Sequence, residues 1–168
     1  MGCKSGKVAT ANSWDTSILP RGQIREYPYT DGSASGPPVL GEGTVLVDIS
    51  SESTRTVPDG MTLSADGESI YVAMFKYGAT ETADGEVRKY NRITGKHLET
   101  YTLEGAPRAT CPLVVEDKGL YFTTAHEMDD SEIEAFLEKN PNSGGFGYVA
   151  KPGIQANKTA VLGLNQIG

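Results

Sequence analysis

The chain has no long apolar run. Its longest, such as Tyr71–Phe75, fall far below the roughly 20 residues that a membrane-spanning helix needs. The opening Met1-Gly2-Cys3-Lys4-Ser5-Gly6 carries no apolar stretch of the kind a secretory leader uses. It also puts Gly6 where the myristoylation pattern asks for Ser or Thr. Cysteine is scarce: Cys3 and Cys111 make neither a disulfide framework nor a zinc cluster. Cys111 reads as a small buried hydrophobe at the start of a strand. These absences predict a cytoplasmic protein without membrane contact. Positive charge is also short, with 15 Lys and Arg against 22 Asp and Glu and a formal net charge of −7. A chain with no basic cluster cannot neutralise a run of phosphates, so nucleic acid is not an expected partner. There is no Gly-x-Ser-x-Gly elbow, which disfavours a serine hydrolase. There is no Gly-x-x-x-x-Gly-Lys-[Ser/Thr] loop, which disfavours a nucleotide triphosphate site.

Glycine, in contrast, is abundant. It makes up 20 of 168 residues, about 12% where roughly 7% is usual. The glycines separate short runs rich in β-branched and aromatic residues, which predict strands. These are Lys7–Ala11, Gln23–Tyr27, Thr44–Ile49, Met61–Ser64, Ser69–Phe75, Glu86–Asn91, His97–Leu103, Cys111–Glu116, Leu120–Thr124 and Phe146–Lys151, with Thr159–Leu164 a weaker candidate. Pro112 stands near the start of its run, where a strand tolerates proline. Ala65-Asp66-Gly67-Glu68 and Glu116-Asp117-Lys118-Gly119 read as tight turns, and Ser33–Glu42, with its Pro-Pro pair, as a loop. One helix is expected over Glu132–Lys139. Ser131 and Glu134 fit a capping box, and Ile133, Phe136 and Leu137 make one apolar face. The acids Glu127, Asp129, Asp130 and Glu132 lack the spacing of a calcium loop and suit a helix N-terminus.

The sequence repeats itself. Arg21-Gly22-Gln23-Ile24-Arg25-Glu26-Tyr27 matches Asp84-Gly85-Glu86-Val87-Arg88-Lys89-Tyr90 at an offset of 63 residues. Ile70-Tyr71-Val72-Ala73 matches Leu120-Tyr121-Phe122-Thr123 at an offset of 50, and Lys7-Val8-Ala9-Thr10 falls 63 residues before Ile70. A unit of about 50 residues with about four strands is the signature of a β-propeller blade. The central copy, about Val57 to Gly105, shows four strands, the first copy begins at its second strand, and the last has three and a doubtful fourth. The expected fold is therefore all-β: a partial β-propeller of about two and a half to three blades, with one short helix, spanning residues 1–168 as one domain. Closed propellers use four to eight blades. The chain is expected either to assemble with another copy or to be part of a longer product.

The segment Pro58-Asp59-Gly60-Met61-Thr62-Leu63-Ser64-Ala65-Asp66-Gly67-Glu68-Ser69-Ile70-Tyr71-Val72-Ala73 resembles the central motif of the regucalcin (senescence marker protein) and gluconolactonase family. Gly85–Asn91, Thr94-Gly95-Lys96, Arg108-Ala109-Thr110-Cys111, Leu120–Ala125 and Gly144–Val149 resemble later elements of that family in the same order. The resemblance is firmest over about Val57 to Val149. It implies the C-terminal part of a six-bladed propeller that binds one divalent metal, with Ca²⁺ or Zn²⁺ expected, and hydrolyses sugar lactones or related esters. The family's metal ligands are a Glu, an Asn in a Pro-Asn-Gly-like motif and the Asp of Pro-Asp-Gly-Met. Only the last maps onto this sequence, at Asp59, so the resemblance implies an incomplete site and weak metal binding.

Asp59 has chemistry of its own. A carboxylate is a hard oxygen ligand for divalent cations and can take a proton from an attacking water. The alternative is an Asp-Gly turn at the start of a strand. Thr110, Cys111 and Met74 are expected pocket neighbours, and Asn12 and Ser13 lie where a strand could end near a channel. His97 reads as a solvated turn residue. His126, beside Glu127, reads as an exposed loop residue, with metal ligation as the other reading. The functional expectation is a metal-dependent lactone hydrolase, inactive as this chain alone. The rival is a non-catalytic propeller fragment, used as an interaction surface or without function of its own. Under either reading, self-association through exposed blade edges is expected.

Overall fold

The structure is a computed structural model that describes residues 5–12, 22–30, 37, 39–52, 56–76, 84–103, 108–115, 119–125, 138 and 148–151. Eleven strands lie in these segments: β1 (Ser5–Asn12), β2 (Gln23–Thr30), β3 (Val39–Leu40), β4 (Thr44–Asp48), β5 (Thr56–Leu63), β6 (Ser69–Lys76), β7 (Gly85–Asn91), β8 (His97–Leu103), β9 (Ala109–Val115), β10 (Gly119–Thr124) and β11 (Tyr148–Lys151). They form three antiparallel sheets, and the chain is a partial β-propeller. It divides into two units, Met1–Pro58 and Asp59–Gly168. No helix among the described residues is long and apolar enough to cross a membrane.

In the first unit, β1 pairs with β2, while β3 and β4 pair with β2 on its other side. Among its described residues, Ile24, Val47 and Ile49 bury their apolar side chains. Gly22 has φ +82°, and a Cβ there would meet Ser50 N at 3.0 Å, so both conformation and space require glycine. The loop expected over Ser33–Glu42 contains the short strand β3, whose Leu40 and Val39 pair with Tyr29 and Thr30. Two residues directly after Pro38 are too short a run to show any alternation in the sequence.

In the second unit, β5-β6-β7-β8 run in sequence order as one complete four-stranded blade, and β9-β10-β11 make a three-stranded sheet. Strand β6 is buried from Ser69 to Phe75, as a central strand covered on both faces must be. Tyr71, Ala73, Val87, Tyr101, Ala109, Val114, Leu120 and Phe122 form one cluster, so the two sheets share a core. Each large apolar side chain fully withdrawn from water here stabilises by roughly 1.5–3 kcal/mol. The turn after β5 closes with Ser64 N donating to Ser69 O at 2.9 Å and Gly67 N to Ser64 O at 3.0 Å. Gly67 takes φ +72°. The turn after β7 is held by Asn91 Oδ1, which accepts from Ile93 N, Thr94 N and Thr94 Oγ1.

Three expectations shift. Strand β5 starts at Thr56, five positions before the expected Met61, so Asp59-Gly60 lies within a strand and is not a turn. Pro112 sits in the middle of β9, which is tolerated because β9 is an edge of its sheet. Cys111 is exposed rather than buried. The pleat alternates along β9, burying Pro112 and Val114 on one face and leaving Cys111 on the other. The helix expected over Glu132–Lys139 lies outside the described residues apart from Glu138, which is helical and exposed. Thr159–Leu164 also lies outside them.

Candidate functional site

Asp59 and Gly60 occupy the middle of β5, the first strand of the complete blade. Opposite Gly60 runs β9, with Thr110 and Cys111 at the contact. Thr110 Oγ1 donates to Thr123 O at 3.0 Å. The Thr123 hydroxyl, 2.6 Å away, then donates to Thr110 Oγ1 in turn. This pair ties the site's second wall to β10.

Asp59 is half-buried, and no hydrogen bond or ion pair joins its carboxylate to another described residue. Burial pushes its carboxyl above the ordinary carboxylate value, because the charged form loses hydration without gaining a compensating cation. Partial withdrawal from water, and then the Asp59 charge, push the Cys111 thiol up. Its Sγ lies 3.8 Å from Pro112 O. A thiol with a raised pKa stays protonated at neutral pH and is a poor nucleophile. Burial thus raises the proton affinity of Asp59, and the Cys111 thiol beside it is kept protonated.

Two of the three expected pocket neighbours, Thr110 and Cys111, come together with Asp59. Met74 does not line a surface, because β6 is central and Met74 is fully buried. His97 is exposed, as expected, but begins β8 rather than sitting in a turn. It lies opposite Tyr90, and the two ring centroids are 5.4 Å apart. Asn12 ends β1 opposite Gln23. Ser13, His126, Glu127 and the acidic run fall outside the described residues. Sequence reasoning missed Gly60 as a contact residue and Thr123 as the partner of Thr110. Only the glycine directly after Asp59 offered a signal, and it read equally as a turn. It also took Arg108 as part of a motif, whereas the structure buries that side chain fully.

Among the described residues, no group of three His, Cys, Asp or Glu side chains could hold a metal ion. Ca²⁺ takes six to eight oxygens and structural Zn²⁺ takes four ligands. Asp59 and the neighbouring thiol do not fit a complete divalent-metal site.

A family model described as the SMP-30/gluconolactonase/LRE-like region matches residues 20–126. The chain belongs to this family. The match covers β2 to β10 and includes Asp59, Thr110 and Cys111, while Gly144–Val149 lies beyond it. A solved structure of luciferin-regenerating enzyme is similar in fold, with a TM-score of 0.55 at 20% identity over 81% of this chain. The chain spans 40% of that structure's length. No curated protein matches the sequence significantly.

Proposed function

We propose that this family member carries the Asp59-bearing part of a lactone or ester hydrolase site, and that its described residues alone leave that site incomplete. The observation that carries the reading is a carboxylate on the first strand of a blade, half-buried and with its pKa raised by burial. A carboxylate held this way is a stronger base than one in water and suits proton abstraction from an attacking water. Membership of the family supports the reaction class, and the Ca²⁺ or Zn²⁺ expected of the family would need donors in addition to Asp59. No catalytic step is assigned to a metal here, because the described donor set does not fit one.

The test uses two polypeptides: this 168-residue chain and a longer chain restoring the preceding blades. Each is assayed on a sugar lactone with Ca²⁺, Zn²⁺ or Mn²⁺ and with a chelator. The expected outcome is no turnover above buffer by the short chain. The long chain should turn over lactone and lose about 100-fold or more on Asp59→Asn, the scale of a lost general base. Turnover by the short chain that Asp59→Asn leaves unchanged would end both the role of Asp59 and the incomplete-site reading.

A further inference from the structure

Gly60 does not have a positive φ, so its glycine is not explained by backbone conformation. The explanation is space. A Cβ at Gly60 would lie 2.5 Å from Thr110 O, 2.9 Å from Cys111 Cα and 3.0 Å from Cys111 Cβ. Two of these three atoms are backbone, and a backbone cannot swing aside as the tip of a long side chain can. Ordinary Cβ contacts fall at 3.4–4 Å, so any side chain at position 60 forces β5 and β9 apart by about 1 Å.

We propose that Gly60 is a positioning residue: its missing side chain seats β5 on β9 at Thr110 and Cys111 and thereby sets how far Asp59 stands from the Cys111 thiol. The neighbouring residue Asp59 shares the strand segment that this contact fixes. A displacement of about 1 Å at a reacting group can cost on the order of 100-fold in rate. That consequence for hydrolysis rests on the role proposed for Asp59. The seating itself does not, and it has its own readout.

The readout is the charge that Asp59 places near Cys111. Anionic iodoacetate and neutral iodoacetamide alkylate the same thiolate, so the ratio of their rates cancels the thiol's own ionisation and reports local charge. The measurement uses the full chain with Cys3→Ser, which makes Cys111 the sole thiol, at pH 8, well above the ordinary carboxylate range. Asp59→Asn should raise the iodoacetate-to-iodoacetamide ratio about threefold or more, because a nearby like charge is removed. Gly60→Ala should raise it by a smaller amount, about 1.2-fold for a separation that grows by about 1 Å, without removing any charge. The double variant should add nothing to Asp59→Asn alone. A Gly60→Ala ratio equal to the parent's overturns the proposal, and so does a ratio insensitive to Asp59→Asn. If Gly60→Ala does not unfold cooperatively, Met61→Ala and Thr62→Ala decide. Cooperative folding of both would localise the intolerance to the contact at position 60 and support the seating, while failure of both would show a generally fragile strand and overturn it. Mn²⁺ titration of the parent and Asp59→Asn reads the proposed ligand role separately. Tight binding lost on Asp59→Asn would overturn the incomplete-site reading, and either result leaves the alkylation ratio to decide the seating.

Discussion

Strands β2 and β7 carry one motif in two settings. Ile24 and Val87 hold the same place in the repeat and are both buried, at 1% and 0% exposure. Each pairs with an alanine on the preceding strand, Ile24 with Ala11 and Val87 with Ala73. The paired residues are thirteen positions apart in the first copy and fourteen in the second. The connection is therefore one residue shorter in the first copy, and the partner of Ile70 in the repeat is Val8 rather than Lys7. This corrects the constant 63-residue offset. A one-residue slip turns every side chain of a strand to its other face, and shortening the connection puts an apolar residue, not a lysine, in that slot. The repeat thus specifies backbone pairing and core residue, while loop length adjusts register around them.

The largest effect that would test this equivalence is truncation of the shared core position. Ile24→Ala and Val87→Ala should each cost roughly 2–4 kcal/mol, the sum of lost burial and a residual cavity. Urea unfolding followed by circular dichroism measures both. A loss below about 1 kcal/mol at either site would show that its slot collapses or repacks, and would break the correspondence between the copies.

The outer edges of the sheets differ as well. In the first unit, β3 and β4 form a broken edge on which Val39, Leu40 and Val45 are 60%, 58% and 44% exposed. In the second unit, the outer edge β8 exposes Leu98 but is a continuous seven-residue strand. Unpaired edges that carry apolar residues promote pairing between chains. The chain is expected to self-associate, with sedimentation coefficients that rise with concentration. Leu40→Lys together with Val45→Lys should shift the distribution toward monomer by about tenfold in apparent dissociation constant, corresponding to roughly 1.4 kcal/mol. Leu98→Lys should do less. A concentration-independent monomer in the unsubstituted chain would remove edge pairing as a property of either unit.

The strands were legible because their signal is local. β-branched runs between Gly, Asn and Asp turns located ten of the eleven strands among the described residues, all but β5 to within three residues, and the repeat located the complete blade. What escaped depended on neighbours distant in sequence. β3 is two residues long and owes its existence to Tyr29 and Thr30. The close approach at Gly60 depends on β9, about fifty positions away. The exposure of Cys111 follows from which face of β9 packs, a choice that Cys itself, tolerant of either face, does not reveal. The site shows the same division. Asp59 was visible as a motif residue, but its raised pKa is a consequence of burial that only the fold supplies.

The smallest expected effect concerns the polar shells of the two repeated arginines, which are built from different partners in the two copies. Arg88 Nε donates to Glu86 Oε2 at 2.9 Å, and Lys76 Nζ donates to Glu86 Oε1 at 2.9 Å. In the first copy, Gln23 takes the place of Glu86: Arg25 Nη1 donates to Gln23 Oε1 at 3.0 Å, and Gln23 Nε2 donates to Asp48 Oδ2 at 2.8 Å. Burial pushes the Glu86 carboxyl up, but hydrogen bonds and charge from Lys76 and Arg88 outweigh it and hold the group below its usual 4.5. A carboxyl with a lowered folded pKa contributes stability that is present above the unfolded value and lost as pH falls through the folded one. Glu86→Gln should therefore cost about 0.5–1 kcal/mol at pH 7, the range of a partly exposed ion pair, and progressively less as pH drops below 4.5. Gln23→Glu should show the same pH dependence for the opposite reason, because it adds a carboxylate where Glu86→Gln removes one. It sets a second carboxylate against Asp48, whose carboxyl is already held low by hydrogen bonds from Ser50 and Gln23. Two carboxylates sharing a site raise the pKa of one of them. The destabilisation should be full at pH 7 and relieved on acidification. Urea midpoints of both variants against the parent from pH 7 to pH 3 measure the two slopes. A cost of either variant that persists undiminished at pH 3 would mean that it does not come from carboxylate charge, and that the exchange of Glu for Gln between the copies does not change how each sheet responds to acid.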